Sequence, residues 1–491
     1  MLKTQTEVYR GYGKICQLGA QTAVECRFSG EVETVLSVHA AAVLLSATVE
    51  NGEVRYTGRV LFAIVYEDAE RKVCRAEKGV EFSAKAQGEL CCPAYTARVK
   101  LETENVSVRR EGASVYVTAL LGAEIDLYGE QNFEYLTDGE LVLKRERLPV
   151  LTAHLCGGTA EADDEFETDF VGDILLHAET VNLTDVSCQT GTLNAEGEVN
   201  LGILALKGSN LVSFERLVPF RVEIPCDAAT AGVNSEARVS VTNVSLRADA
   251  DEEQGKCKIV AELTLSAEGC VYEEAEIDAV TDAFSLDHAV KLGYSTAEAV
   301  GAGEAVRLTE RVSGKAALSS GVDFSDTFQA VTLQRAEANL VHSDGTRVEG
   351  VAMATLLVLG ADGSHRGVEL SLPFSVPVQA EGDCAVTVLA CGTSARQRQE
   401  GEVDAEVTLK ITLLPRTKRS ISAVSSVEEG EPLQLSNSAV SVYIPRAGDG
   451  LWELAKSLKK PPEEVAQNNP DIEFPIRAGQ RVVIYRKKSL T

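Results

Sequence analysis

The residue patterns that usually accompany catalysis are incomplete in this chain. Its six histidines show no H-E-x-x-H pair and no other spacing typical of a metal site. Gly293-Tyr-Ser295 lacks the second glycine of a nucleophile elbow. Gly11-Tyr-Gly13 lacks the third glycine of a dinucleotide-binding loop. The sequence therefore predicts a protein that is not an enzyme and that has no cofactor and no metal site.

Residues 443–485 instead show a pattern for binding, carried by two loops between short elements. Four apolar residues at i, i+3, i+4 and i+7 predict one face of a short helix, namely Leu451, Leu454, Ala455 and Leu458. Asp449 or Gly450 stands at the N-cap position of this helix. Pro461-Pro462 can open a second helix. The β-branched run from Arg481 to Tyr485 is expected to pair with a strand around Tyr443.

This segment resembles the LysM module, a small βααβ domain that in most families binds N-acetylglucosamine polymers. The matching positions are Tyr443, Gly448, Asp449, Leu451, Trp452, Ala455, Val465, Asn468, Pro470, Pro475, Ala478, Gly479, Gln480 and Val482. Gly450 departs from the Thr or Ser usual in the family, and it removes a side-chain acceptor from the helix cap.

The resemblance implies a binding surface made of the loop before the first helix and the loop before the last strand. The candidate contact residues are Gly448, Asp449, Gly450, Leu451, Trp452, Pro475, Ile476, Arg477 and Gly479. Two neighbouring lysines, Lys459 and Lys460, are candidate electrostatic contacts. For Trp452, Leu454 and Leu458, the pattern favours a purely structural role in the small core over a binding role.

Length and charge define the class of protein. The 491 residues correspond to three or four domains at the usual size of ~100–200 residues. A net charge of −27 argues against nucleic acid as a partner. From Ser441 onward, nine Lys/Arg stand against six Asp/Glu, so a weakly basic end follows an acidic remainder.

The start of the chain lacks a signal-peptide pattern, and no run approaches the ~18 apolar residues of a membrane span, so we expect a soluble, cytoplasmic protein without membrane insertion.

Internal repetition organises residues 1–430. A glycine opens a strand-like run three times, and a phenylalanine follows it after 24, 23 and 24 residues; the pairs are Gly58 and Phe82, Gly197 and Phe220, and Gly350 and Phe374. Val38-His39-Ala40 resembles Leu176-His177-Ala178, and Asn105-Val-Ser resembles Asn243-Val-Ser. Period-two alternation dominates these runs. The sequence predicts three tandem, sandwich-like all-β domains and a mainly β protein.

The repeats resemble the SPOCS domain, also called DUF3794, of endospore-forming Firmicutes. The likeness is carried by the strand pair of residues 35–40 with 58–66, by its copy at 174–178 with 197–206, and by the phrase Val280-Thr-Asp-Ala-Phe-Ser285. The expected boundaries are 1–148, 149–292 and 293–430 for the three β domains, 431–440 for a linker and 441–488 for the LysM domain. The composition of residues 427–437 predicts that the last domain moves relative to the others.

Tandem SPOCS domains followed by LysM are the layout of clostridial spore-coat morphogenesis proteins. This resemblance implies a scaffold in the mother-cell cytoplasm at the forespore surface, in which three β domains form a spaced arm and the LysM tip docks on a SpoIVA-like coat-organising ATPase. Self-association through the β domains is a further expectation. The alternative is a peptidoglycan- or chitin-binding protein of the spore cortex or wall, which would use the same loops.

Overall fold

The computed structural model describes residues 2–30, 32–112, 114–208, 210–251, 253–317, 330–359, 363, 365–379, 383–397, 402–434, 440–477 and 479–485. Within these ranges the chain forms twenty-one strands and two short helices. The predicted mainly β fold is therefore confirmed. Strand after strand is antiparallel to its neighbour, as expected for connections by short turns.

The first six strands form two facing three-stranded sheets. Their bounds are β1 (Thr4–Ser29), β2 (Thr34–Glu50), β3 (Glu53–Glu67), β4 (Val73–Gln87), β5 (Thr96–Glu111) and β6 (Ser114–Gly139). One sheet has the order β1-β6-β5 and the other β2-β3-β4. Phe28, Phe62 and Val117 meet in the core between the sheets, because alternate residues of each strand point inward.

The next six strands repeat this arrangement. Their bounds are β7 (Val142–Thr168), β8 (Asp173–Gln189), β9 (Thr192–Lys207), β10 (Asn210–Pro225), β11 (Ser235–Asp251) and β12 (Lys256–Phe284). The sheet orders are β7-β12-β11 and β8-β9-β10, the same as in the first repeat.

The third repeat has the same order with a divided first strand. Its bounds are β13 (His288–Ala302), β14 (Val306–Ala317), β15 (Ala330–Ser343), β16 (Arg347–Leu359), β17 (His365–Pro377), β18 (Cys384–Gln397) and β19 (Glu402–Pro432). Both β13 and β14 pair with β19, as β18 does, and β15-β16-β17 form the second sheet. The architecture is thus a threefold repetition.

The recurring glycine and phenylalanine are cross-strand partners in all three repeats. Gly58 lies opposite Phe82, Gly197 opposite Phe220 and Gly350 opposite Phe374. In each case a Cβ on the glycine would come within 2.5–2.8 Å of the phenylalanine ring. The ring covers the glycine backbone and replaces the packing that a side chain would have supplied. This contact explains why the spacing recurs.

The first and last strands of each repeat extend beyond their sandwich as a two-stranded ribbon. The three ribbons are residues 4–14 with 128–139, 142–156 with 269–284, and 288–302 with 416–432. They pack on one another through side chains from all three repeats, for example Phe133, Val150 and Ile421. We call this bundle the stem. Since the repeats share the stem, the predicted spaced arm is wrong.

The predicted boundaries at 148/149 and 292/293 fall inside β7 and β13. The chain instead passes between repeats at residues 140–141 and 285–287, at the outer end of the stem. β19 continues to Pro432, so residues 427–432 belong to a strand and not to a linker. Residues 435–439 lie outside the described part. The stem strands have 26 to 31 residues where they are continuous, far longer than the usual ~5–6. Because these strands are so long, the predicted domain boundaries fall inside them.

A buried carboxylate joins the three repeats where the stem meets the sandwiches. Glu236 of the second repeat is 6% exposed, and its partners are Arg98 of the first repeat and Arg416 of the third. The Tyr272 hydroxyl donates to Glu236 Oε1 at 2.9 Å. Burial by itself would raise the pKa of Glu236, but Arg416 and Arg98 outweigh it and lower the pKa. The carboxylate therefore stays ionised between two guanidinium groups.

The same region lowers the acidity of its neutral groups. Burial, with Cys270 and Glu236 nearby, raises the pKa of Tyr128 to about 12. Burial and Glu236 raise the pKa of the Cys270 thiol to about 12 as well. All twelve cysteines are free. These groups are neutral at physiological pH. Glu236 is the anion that Arg98 and Arg416 share, and Arg98 also pairs with Glu268 at 3.5 Å.

We expect Glu236→Gln to destabilise the protein by about 3–5 kcal/mol, because it removes the buried carboxylate shared by Arg98 and Arg416 and leaves Arg98 with only the more exposed Glu268 as an ion-pair partner. Thermal unfolding followed by circular dichroism measures the effect. Glu428→Gln is the matched control, since Glu428 pairs with Lys291 at 3.2 Å but its side chain is 71% exposed. The control should cost less than about 1 kcal/mol. Equal effects of both substitutions would contradict a central role of Glu236.

Candidate docking surface

The C-terminal unit has the order strand, helix, helix, strand. Its elements are β20 (Val440–Tyr443), α1 (Leu451–Leu458), α2 (Pro462–Asn468) and β21 (Val482–Tyr485). β20 pairs antiparallel with β21, and Tyr443 lies opposite Val482, as the sequence predicted. Leu454, Ala455 and Leu458 of α1 enter a core with Val465, Val482 and Ile484. Residue 478 and residues 486–488 of the expected domain lie outside the described part.

Buried Asn469 ties α2 to the sheet. It is 7% exposed, and its Nδ2 donates to the carbonyl groups of Val465 at 2.9 Å and Val483 at 3.0 Å. The Val483 N–H donates to Asn469 Oδ1 at 2.8 Å. This side chain thus satisfies backbone groups of a helix end and of the sheet formed by β20 and β21. The run Asn468-Asn469-Pro470 predicts the end of a helix, and only the structure shows the bonds from Asn469 to the sheet.

The cap of α1 follows the expected position. Gly450 is the N-cap, and it makes no side-chain hydrogen bond. A Cβ on Gly450 would lie 2.4 Å from Glu453 Oε2, so the Glu453 carboxylate leans back over the cap. Lys459 ends the helix in the left-handed conformation with φ 53°. Gly450 is therefore the residue that lets Glu453 approach the start of the helix.

The two predicted binding loops lie side by side and are joined by their backbones. The Gly448 N–H donates to the Ile476 carbonyl at 2.8 Å, and the Ile476 N–H donates to the Asp449 carbonyl at 2.9 Å. The Asp449 N–H donates to the Arg446 carbonyl at 3.2 Å. The Arg477 N–H donates to Gln480 Oε1 at 2.7 Å. Since a backbone N–H is a single donor, these four groups are already used within the unit.

The loops present a small surface that includes the exposed cation Arg477. Gly448, Pro475 and Gly479 are exposed, and Asp449 and Gly450 are half-buried. The Arg477 side chain is 76% exposed and pairs with Glu473 at 2.8 Å. Ile476, by contrast, is only 3% exposed and belongs to the core of the unit. The prediction that Ile476 contacts a partner is therefore wrong, because its side chain points inward from the loop.

Trp452 and the adjacent face of α1 pack against the end of the second repeat. Trp452 Nε1 donates to Asp282 Oδ2 at 2.7 Å, and its ring meets Phe284 edge-on with centroids 5.2 Å apart. Lys456 Nζ lies 2.6 Å from Asp282 Oδ1. Phe284 is fully buried and joins the core of the C-terminal unit. Asp282 and Phe284 belong to the phrase that carried the SPOCS resemblance.

Asp282 is the electrostatic centre of this contact. Its burial would raise its pKa, but the hydrogen bonds from Lys456 and Trp452 outweigh burial and lower the pKa. The carboxylate is thus ionised and accepts charge-assisted hydrogen bonds, which are stronger than bonds between neutral groups. The contact opposes the predicted mobility of the C-terminal unit.

The remaining predicted contact residues are Lys459, Lys460 and Leu451. Lys459 Nζ lies 5.7 Å from the centroid of the Phe284 ring, so it faces the second repeat. Lys460 pairs with Glu464 at 2.7 Å within the unit. Leu451 is half-buried and packs at the edge of the unit's core. The structure therefore brings the loop residues together and turns Trp452 and Lys459 away from them.

The described part of the chain holds no group of three His, Cys, Asp or Glu side chains placed to bind a metal ion. Neither of the two helices is long and apolar enough to span a membrane. No family model and no curated protein matches the sequence.

Asp282→Ala should release the C-terminal unit from the second repeat, at a cost of about 1–2 kcal/mol for the lost bonds to Lys456 and Trp452. Trp452 is the only tryptophan, so its fluorescence reports the contact. We expect emission at longer wavelength and faster quenching by acrylamide. Asp278→Ala on the same strand is the control, since Asp278 is exposed. Emission unchanged by Asp282→Ala would refute the contact.

The contact between Asp282 and the C-terminal unit depends on pH because Asp282 must be ionised. Because docking lowers the pKa of Asp282 from its ordinary 3.8, the contribution is complete above that value and is lost as the pH falls through the lowered pKa. We expect constant Trp452 emission between about pH 5 and 8 and a shift to longer wavelength only in stronger acid. A transition near pH 6 to 7 would instead point to a histidine.

Proposed function

We propose that this protein is a non-catalytic scaffold of the spore envelope whose C-terminal unit docks on a SpoIVA-like coat-organising ATPase at the forespore surface. The resemblance of residues 443–485 to LysM and of the repeats to SPOCS supports this proposal. In it, the stem and three sandwiches form the base, and the loops of the C-terminal unit form the contact surface.

One observation favours a protein over a glycan as the ligand. The N–H groups of Gly448, Asp449, Ile476 and Arg477 all donate within the unit. A sugar that sought backbone donors in these loops would find these four occupied, whereas a protein surface can use side chains and shape. Arg477 supplies an exposed cation for an acidic patch on the partner.

The fixed position of the unit also suits a docking role. Trp452 and Lys456 bond to Asp282, so the loops are presented in one orientation relative to the base. A partner that binds a preorganised surface does not have to offset the cost of ordering it. The net charge of −27 of the whole chain further favours a partner with a basic region beside its acidic patch.

Isothermal titration of the full chain with the purified ATPase tests the proposal. Arg477→Glu should weaken binding at least ~10-fold, because it places a like charge against the acidic patch. Arg311→Glu is the control: Arg311 is also 76% exposed and also paired with a glutamate, Glu406, but it lies on β14. It should leave the affinity unchanged.

The same titration with a soluble N-acetylglucosamine pentamer examines the glycan alternative. Saturable binding of the pentamer together with no binding of the ATPase would replace the proposed function by peptidoglycan binding. Equal weakening by Arg477→Glu and Arg311→Glu would show that net charge, and not the loops, governs docking.

A further inference from the structure

The threefold repetition creates three corresponding crevices between neighbouring repeats. In each, the outer face of one repeat's second sheet meets the second and fifth strands of the next repeat. We call them crevice I (repeats one and two), crevice II (repeats two and three) and crevice III (repeats three and one). Crevice I is lined by residues of β2, β3, β4, β8 and β11, and crevice III by residues of β2, β5, β15, β16 and β17.

Corresponding residues occur at the same place in all three crevices. A glutamate stands five residues before each recurring phenylalanine, namely Glu77, Glu215 and Glu369. It faces the fifth strand of the next repeat, where the register shifts by one residue at a bulge. The bulges lie between Val241 and Asn243, between Cys391 and Thr393, and between Thr103 and Asn105. The three crevices therefore share a glutamate and a bulged edge strand.

In crevice II the glutamate fills the site. The carboxylate of Glu215 accepts the Gly392 N–H at 2.8 Å and the Thr393 N–H at 3.1 Å. It also accepts the Thr393 hydroxyl at 2.5 Å. Lys410 forms an ion pair with Glu198 between the same two repeats. A carboxylate is thus the group that this crevice holds when it is closed.

Crevice I lacks this closure. Glu77 pairs with Arg75 of its own strand at 3.4 Å, and the bulge residues Thr242 and Asn243 line a cavity of about 400 Å³. The cavity wall is otherwise largely apolar and includes Val43, Leu45, Leu61, Leu176 and Val244. Leu45 is 60% exposed and Leu61 is 37% exposed, so this apolar wall is open to solvent.

One uncompensated cation lines crevice I. The His177 and Glu179 side chains pair with each other at 2.5 Å, so the charge of Glu179 is neutralised within the wall. The Arg59 guanidinium lies over Gly79, within 2.4 Å of where a Cβ would be. Among the described residues, Arg59 has no hydrogen-bond or ion-pair partner.

Crevice III has a different charge and does not suit an anion. Glu104, Glu337 and Glu369 all line it, and no arginine or lysine does so. Glu104 accepts a hydrogen bond from Gln21 at 2.6 Å. Of the three crevices, crevice I is the one that combines open apolar space with the cation Arg59, which is unpaired within the described part of the chain.

We propose that crevice I is a binding site for an organic carboxylate with a short apolar body. The carboxylate binds the Arg59 guanidinium, which can donate two parallel hydrogen bonds to it. The apolar body covers Leu45, Leu61 and Val244. Arg59 directly follows the recurring glycine, at the position that Glu198 holds in crevice II, so crevice I presents a cation where crevice II presents an anion. This site is separate from the C-terminal unit and does not depend on its docking function.

Titration of the full chain with hexanoate, followed by saturation-transfer NMR of the ligand, tests the proposal. We expect saturable binding, and a dissociation constant at least ~10-fold higher for Arg59→Gln, since a charge-assisted bond is lost. Arg55→Gln is the matched control on the same strand, because Arg55 is exposed and already paired with Glu53. It should bind hexanoate like the unchanged protein.

Hexanol separates the two parts of the site. It should bind more weakly than hexanoate and equally to the unchanged protein and to Arg59→Gln, because it contacts only the apolar wall. Arg59 is exposed, so its substitution leaves the sandwich core intact. No saturable binding of hexanoate, or equal affinities in Arg59→Gln and Arg55→Gln, would overturn the proposal.

Discussion

The carboxylate of Glu236, held between Arg98 and Arg416, is the interaction on which the packing of the three repeats depends. Each partner comes from a different repeat, and the two least exposed are 4% and 6% exposed. A buried charge is costly unless it is paired, so Glu236 requires its two arginines, and Arg98 pairs with Glu236 and with the more exposed Glu268. This mutual requirement specifies one arrangement of the repeats, whereas apolar contacts alone would tolerate small shifts between them.

The unusual length of the stem strands also ties the three repeats together. In each repeat the outer halves of the first and sixth strands leave the sandwich and form a ribbon, and each ribbon is covered by the ribbons of the other two repeats, the second also by the C-terminal unit. A single two-stranded ribbon is at best marginally stable in water. The repeats are therefore not independent domains in series, because part of each core exists only when all three are assembled.

Corresponding positions of the repeats carry different side chains and make different contacts. The second repeat offers Asp282 and Phe284 at the end of its ribbon, and the C-terminal unit binds there through Trp452 and Lys456. The first repeat has Asp138 at a similar place after Leu136, but this carboxylate pairs with Arg145. Likewise, Glu215 closes one crevice while its counterpart Glu77 leaves another open. Repeats of the same fold therefore differ at corresponding positions: the second repeat contacts the C-terminal unit, and the first lines an open cavity.

The sequence by itself determined the local structure and the repetition. The glycine–phenylalanine spacing identified three copies because the two residues face each other across adjacent strands. The apolar stripe of α1 and the pairing of β20 with β21 were also readable, since neighbours in sequence or across a short unit decide them. The stripe depends on a periodicity of a few residues, and the pairings join strands that are close in sequence.

Only the tertiary structure decided how the copies and the C-terminal unit come together. Arg98, Glu236 and Arg416 read as ordinary surface charges in the sequence, and Trp452 lies 170 residues from its partner Asp282. Strand alternation continues unbroken from sandwich into stem, so the sequence did not show where a strand changes its neighbours. Such contacts arise from the packing of three nearly equal surfaces, and local periodicity carries no information about which surfaces meet.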